Sequence, residues 1–89
     1  MNDFPKLLKQ YRERAKLSQS RLAASAYYDR SYISRLEDGN RDPSRITVID
    51  LAGAMRLSDP EMDRLLMAAG FLPPARQRQA MDALRPEFV

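Results

Sequence analysis

Apolar residues recur at helical spacing in five stretches of the chain, and polar turn residues separate them. Phe4, Leu7, Leu8, Tyr11 and Ala15 form the first stripe, with Lys6, Lys9, Arg12, Glu13 and Arg14 around the remaining faces. Asn2 or Asp3 can cap this helix, Pro5 is tolerated in its first turn, and it should stop near Ala15–Lys16. Ser18 offers a hydroxyl to a second helix, roughly Gln19 to Ser25. Asp29 does the same for a third, from Arg30 to Glu37 or Asp38, which Gly39 closes in the left-handed conformation. After the turn residues Asn40-Arg41-Asp42-Pro43, Ser44 caps a fourth helix, roughly Arg45 to Arg56, whose buried face is Val48, Leu51, Ala52 and Met55. Ser58-Asp59-Pro60-Glu61 reads as a capping box opening a fifth helix to about Ala69. Met62, Leu65, Leu66 and Ala69 point inward there, Gly70 ends the helix, and Phe71 and Leu72 are expected to fold back on the core.

Pro73-Pro74 then breaks the pattern. Ala75 to Leu84 carries only the weak stripe Ala80, Met81 and Leu84 before Pro86 stops it. The expectation is an all-α fold: one domain over residues 1–72, with an extension over 73–89 that holds a possible sixth helix for packing on a dimer mate.

The second and third helices are joined by a tight corner, so Ser18 to Asn40 forms one unit. Leu22, Ala23, Ala26, Ile33 and Leu36 fall where two crossed helices would each bury a face. Arg30, Ser31, Ser34 and Arg35 are left on the outer face of the third helix, with Tyr32 near its edge. A surface with cations and hydroxyls outward and aliphatics behind is built to lie against something polar and negative. DNA is the leading candidate.

Composition narrows the picture. The chain has 89 residues, enough for one small domain, and a net charge of +3. That charge is uneven: residues to Arg45 hold ten basic and six acidic side chains, and those from Ile46 on hold five and six. A basic half facing phosphate and a nearly neutral half facing protein fits this split. No Cys is present, so thiolate chemistry and disulfides are ruled out, and the absence of His removes the usual acid–base group. No apolar run approaches the ~20 residues of a membrane span, and MNDFPKLLKQ lacks the apolar segment of a secretory signal. A soluble cytoplasmic protein without membrane contact is expected. An enzyme is not: Glu37-Asp38 ends a helix, and Asp59, Glu61 and Asp63 begin one, where acids favour the helix dipole. Those three carboxylates diverge on a helix, so no metal is expected, and no glycine-rich loop suggests a cofactor.

LSQSRLA followed by YISRLEDGNRDPS resembles the helix-turn-helix of the lambda-repressor/Cro family, the XRE-type regulators of bacteria and phages. The likeness runs from about Phe4 to Leu72. It implies a five-helix DNA-binding domain whose third helix enters the major groove as a dimer on a palindromic operator. It further implies base or backbone contacts from Gln19, Arg30, Ser31, Tyr32, Ser34 and Arg35, and flanking phosphate contacts from Asn40 and Arg41; Arg45, where relatives often carry an aliphatic, adds a cation that fits a phosphate or minor-groove contact or ordinary solvation. Arg12 and Glu37 match a family ion pair that ties the first helix to the end of the recognition helix.

Three departures stand out. Family members often carry Gly where this chain has Lys16, and Ala-Gly-Val-Ser where it has Ala26-Tyr27-Tyr28-Asp29. A bulky Tyr27 at positive φ costs about 1 kcal/mol, so either the strain is accepted or the corner changes shape. Tyr28 replaces a core aliphatic, with its ring inward and its hydroxyl reaching a partner or solvent. Tyr27, if exposed, has DNA backbone or a protein to touch. The rival reading is a protein-interaction module, such as an antitoxin or an adaptor, gripping its partner through the tail or these tyrosines.

Overall fold

The computed structural model describes residues 3–73. The Asn2 cap and the sixth helix lie outside the described residues. Five α-helices appear: α1 (Phe4–Arg14), α2 (Gln19–Ala26), α3 (Arg30–Asp38), α4 (Arg45–Ala54) and α5 (Asp59–Ala68). The described residues contain no strand, and the architecture is all-α.

Serine caps start three of the helices. The Ser18 Oγ accepts from the Arg21 N–H at 3.1 Å, and the Ser44 Oγ accepts from the Thr47 N–H at 3.2 Å. At α5 both halves of the capping box form: Ser58 accepts from the Glu61 N–H, and the Glu61 carboxylate accepts from the Ser58 N–H at 2.9 Å. Asp3 and Asp29 hold the N-cap positions of α1 and α3, but neither side chain makes a capping hydrogen bond. The expected caps are therefore corrected. The Asp29 carboxylate stays exposed at the helix N-terminus, where the dipole favours an anion without a hydrogen bond.

Each helix closes in the same way. One residue turns left-handed, and the next donates its N–H to a carbonyl five residues back: Leu17 to Arg12, Tyr28 to Ala23, Asn40 to Arg35, Leu57 to Ala52 and Phe71 to Leu66. The left-handed residues are Lys16 (φ 60°), Tyr27 (φ 61°), Gly39 (φ 78°), Arg56 (φ 54°) and Gly70 (φ 89°). The strain at Lys16 and Tyr27 is thus accepted, and Arg56 adds a third non-glycine case that the sequence pattern did not flag. The gain is packing by the following residue. Leu17, Tyr28, Leu57 and Phe71 all lie against the core. Only at α3 is that residue polar and exposed, Asn40. Relief of the strain at Arg56 is a simple test: Arg56→Gly is expected to raise stability by about 1 kcal/mol at most, since the loss of strain exceeds the extra chain entropy. Thermal denaturation measures it.

The core gathers Phe4, Leu8 and Tyr11 from α1, Leu22 and Ala23 from α2, Ile33 and Leu36 from α3, Val48, Leu51 and Met55 at α4, and Leu65 and Leu66 from α5. α1 packs on α3 and α5, α2 on α3 and α4, and α4 on α5. Phe71 folds back as expected, but Leu72 is 53% exposed. That half of the expectation fails because no described element covers the chain beyond Phe71.

α1 is latched to α5 by charge. Arg14 pairs with Glu61 at 2.5 Å, and its guanidinium lies 4.8 Å from the centre of the Tyr11 ring. Arg14, together with the Ser58 N–H, pulls the Glu61 carboxyl down to about 2. A carboxyl depressed in the folded state stabilises above its unfolded value, about 4.3, and that contribution fades as pH falls toward 2. Glu61→Gln should therefore melt below the parent protein at pH 6, and in thermal melts the gap should narrow below about pH 4 and close only as pH falls through about 2.

Candidate nucleic-acid interface

The recognition surface begins with how α3 is held. Ile33 and Leu36 are fully buried, fixing one face of the helix. At its C-terminal end Glu37 is clamped: Arg12 Nε donates to Oε2 at 2.6 Å and Nη2 to Oε1 at 3.0 Å. The third donor group of Arg12, Nη1, meets the Leu17 carbonyl at 2.9 Å. The side chains of Arg12 and Glu37 are only 11% and 3% exposed, and the expected pair is present and bidentate. The hydrogen bonds that Arg12 donates to Glu37, joined by the carboxylate's charge, raise the Arg12 pKa from its ordinary value.

Gln19 joins the same cluster, its side-chain amide donating to Glu37 Oε1 at 3.1 Å. One of its two amide hydrogens is thereby spent on the fold, while the other, and its place in the first turn of α2, remain for an outside partner.

A hydroxyl cluster braces α3 against α4. The Tyr28 hydroxyl donates to Asp50 at 2.8 Å and lies 3.3 Å from Thr47 Oγ1. The Tyr32 hydroxyl donates to the same Thr47 Oγ1 at 3.4 Å, and Ser44 Oγ stands 2.9 Å from it. The hydrogen bond with Thr47 lowers the Tyr28 pKa, but burial and the Asp50 carboxylate outweigh it, so the phenol stays neutral well into the alkaline range. The two rings pack 5.3 Å apart. Tyr28 is thus half-buried with a partnered hydroxyl, as its place in the corner suggested. Thr47 escaped the sequence reading; its spacing of four from Leu51 was the signal available.

With those groups turned inward, α3 presents Arg30, Ser31 and Arg35 outward, all exposed, with Ser34 half-buried beside them. Neither Arg30 nor Arg35 enters an ion pair among the described residues. Tyr32 is half-buried, and the Arg41 guanidinium lies 5.6 Å from the centre of its ring. Asn40 and Arg41, in the turn that follows, are exposed. These residues come together as one basic, hydroxyl-rich surface around α3 and its C-terminal turn. Arg45 stands apart. Its Nη1 donates to the Leu72 carbonyl at 2.6 Å, which ties the start of α4 to the end of the described chain.

The described residues contain no group of carboxylates able to hold a metal, and no helix among them is long and apolar enough to cross a membrane. A shallow hollow of about 410 Å³, lined by Ser25, Ala26, Tyr27, Tyr28 and Asp50, is open to solvent, and its Asp50 carboxylate is already engaged by the Tyr28 hydroxyl.

A family model for the helix-turn-helix domain matches residues 5–65. The crystal structure of the restriction-modification controller protein C.AhdI from Aeromonas hydrophila is similar, with 33% sequence identity and a TM-score of 0.64, covering 68% of this chain and 92% of that one. Among curated proteins no match is found. The matched span contains α1 from its second residue, all of α2, α3 and α4, and most of α5. The chain belongs to the helix-turn-helix domain family, as a lambda-repressor/Cro-like DNA-binding transcription regulator.

Proposed function

We propose that this protein is a repressor that binds a palindromic operator as a homodimer, with the N-terminal part of α3 in the major groove. The observation that carries this reading is the exposed set Arg30, Ser31 and Arg35, whose two arginines form no ion pair among the described residues, on a helix whose other faces are locked by core, ion pair and hydroxyl bonds. Arg30 and Arg35 suit the O6/N7 edge of guanine. Ser31 and Ser34 offer hydroxyls to base or backbone, and Tyr32 lies at the edge of the groove-facing surface. Gln19, at a helix N-terminus, and Asn40 and Arg41 hold flanking phosphates and set register. Arg45 is assigned a flanking phosphate as well, its Nη1 already serving the Leu72 carbonyl.

One domain of this size reads about half an operator, and two-fold pairing places recognition helices about 34 Å apart. Exposed Ile46, Ile49, Met67 and Leu72 supply apolar surface for a mate. A dimer seated on its operator denies the same DNA to other proteins, which is why we assign repression, carried out on the nucleoid in the cytoplasm. The likeness to a restriction-modification controller protein supports a regulatory role.

The same exposed aliphatics favour a second reading, in which the domain grips a protein partner as an antitoxin or adaptor does. Selection from random duplexes with the full chain separates the two. A two-fold symmetric consensus is expected; recovery of unenriched sequence would leave only the protein-binding role.

A further inference from the structure

We propose that Tyr32 is a positioning residue: its ring holds the Arg41 guanidinium in place for a DNA phosphate, and its hydroxyl makes no DNA contact of its own. This rests on the phosphate contact assigned to Arg41 and says how that contact is prepared.

Arg41 follows Gly39 and Asn40 in the turn after α3 and is exposed. A long side chain on such a turn samples many rotamers, and ordering it on binding costs affinity. Here the ordering precedes binding. The guanidinium carbon lies over the Tyr32 ring, 5.6 Å from its centre. That is inside the ~6 Å over which an aromatic face attracts a cation. Arg41 enters no ion pair among the described residues. Stacking on a ring uses none of the guanidinium's N–H donors, which stay available to an anion. Arg14 also lies over a ring, that of Tyr11, but its charge is spent on Glu61. Arg41 is held without being spent.

The ring is itself anchored. Its hydroxyl is turned to Thr47 Oγ1 at 3.4 Å, a long bond that still fixes which way the phenol points. Thr47 is 4% exposed, and Ser44 Oγ and the Tyr28 hydroxyl hold it at 2.9 and 3.3 Å. The Tyr28 ring packs 5.3 Å from that of Tyr32. A phenol carries one hydrogen, and this one is directed into the domain, so none is left to donate to a phosphate. What Tyr32 offers is its face, tied through Thr47 to α4 and occupied by Arg41.

Affinities of the full chain for a selected operator and for random duplex test this with Tyr32→Leu, Tyr32→Phe, Arg41→Ala and the double variant Tyr32→Leu/Arg41→Ala. Tyr32→Leu should weaken both duplexes by one common factor, about two- to tenfold, the cost of ordering one freed arginine. Added to Arg41→Ala it should change neither affinity further, since the side chain it positions is gone. Tyr32→Phe keeps the ring and should bind within about twofold of the parent protein. A further loss above about twofold in the Arg41→Ala background would overturn the proposal, because Tyr32 would then act on DNA directly or through the shape of α3. A loss from Tyr32→Phe as large as that from Tyr32→Leu would also overturn it, by placing the hydroxyl on DNA. Ring-current shifts give a reading that needs no variant. In the free chain the Arg41 side-chain protons should resonate upfield of those of Arg30 and Arg35, and equal positions would overturn the stack. An Arg41→Ala protein that binds like the parent would overturn the phosphate contact and this inference with it, leaving α3 as the reader. A parent protein that binds no duplex would instead overturn the DNA-binding mode itself.

Discussion

Arg12→Ala is expected to lower the unfolding free energy by about 3–5 kcal/mol, the loss that follows when one partner of a buried ion pair is removed. The Glu37 carboxylate is 3% exposed and would keep only the Gln19 amide as a partner. A domain this small has total stability toward the lower part of the 5–15 kcal/mol typical of native proteins, so most of it would go. The effect reaches function, since Glu37 sits in the last turn of α3 and the pair sets that helix against α1. Replacing both partners together, as Arg12→Met with Glu37→Leu, should recover much of the loss, because no charge is then stranded. Chemical denaturation of the three variants decides it. A loss below about 1 kcal/mol for Arg12→Ala would be the value of a solvated surface pair and would remove the clamp from the account.

Arg35→Ala is expected to cost about 1–3 kcal/mol of discrimination between the operator and a duplex altered at the contacted base, roughly 5- to 150-fold. Arg41→Ala should behave differently. It should weaken operator and random duplex by similar factors and reduce the salt slope by about 0.9, the signature of one lost phosphate contact. The contrast follows from position: Arg35 projects from α3 itself, whereas Arg41 lies in the turn beyond it against the Tyr32 ring. Equal losses on both duplexes from Arg35→Ala would take it out of the reading role.

What the sequence made legible is mostly local. Ser18, Ser44 and Ser58 mark three helix starts because a cap is satisfied within three residues of itself. The core stripe is legible because burial follows the helical period, and every residue expected on the inner face of α4 is buried. The ion pair between Arg12 and Glu37, 25 residues apart, was legible only through family likeness. Features decided by tertiary contact were not legible. Arg45 carries no mark that its guanidinium turns to a carbonyl 27 residues away. Thr47 reads as an ordinary polar residue until two tyrosine hydroxyls converge on it. Asp29 has the composition of a capping residue, but the choice between a capping bond and an exposed carboxylate is made by side-chain geometry, which spacing does not fix. Tyr27 is the instructive case. Composition suggested either strain or a reshaped corner, and only the backbone angle shows that the corner keeps its shape and the tyrosine bears the strain.

The central claim is that the outer face of α3 meets DNA. Amide chemical-shift mapping during titration with a selected duplex tests it most directly. The largest changes should fall at Arg30 to Arg35, at the first turn of α2 and at Asn40–Arg41, with α5 little affected on the monomer surface. Changes centred on Ile46, Ile49 and Met67 with α3 silent would place the partner on another face and contradict the account.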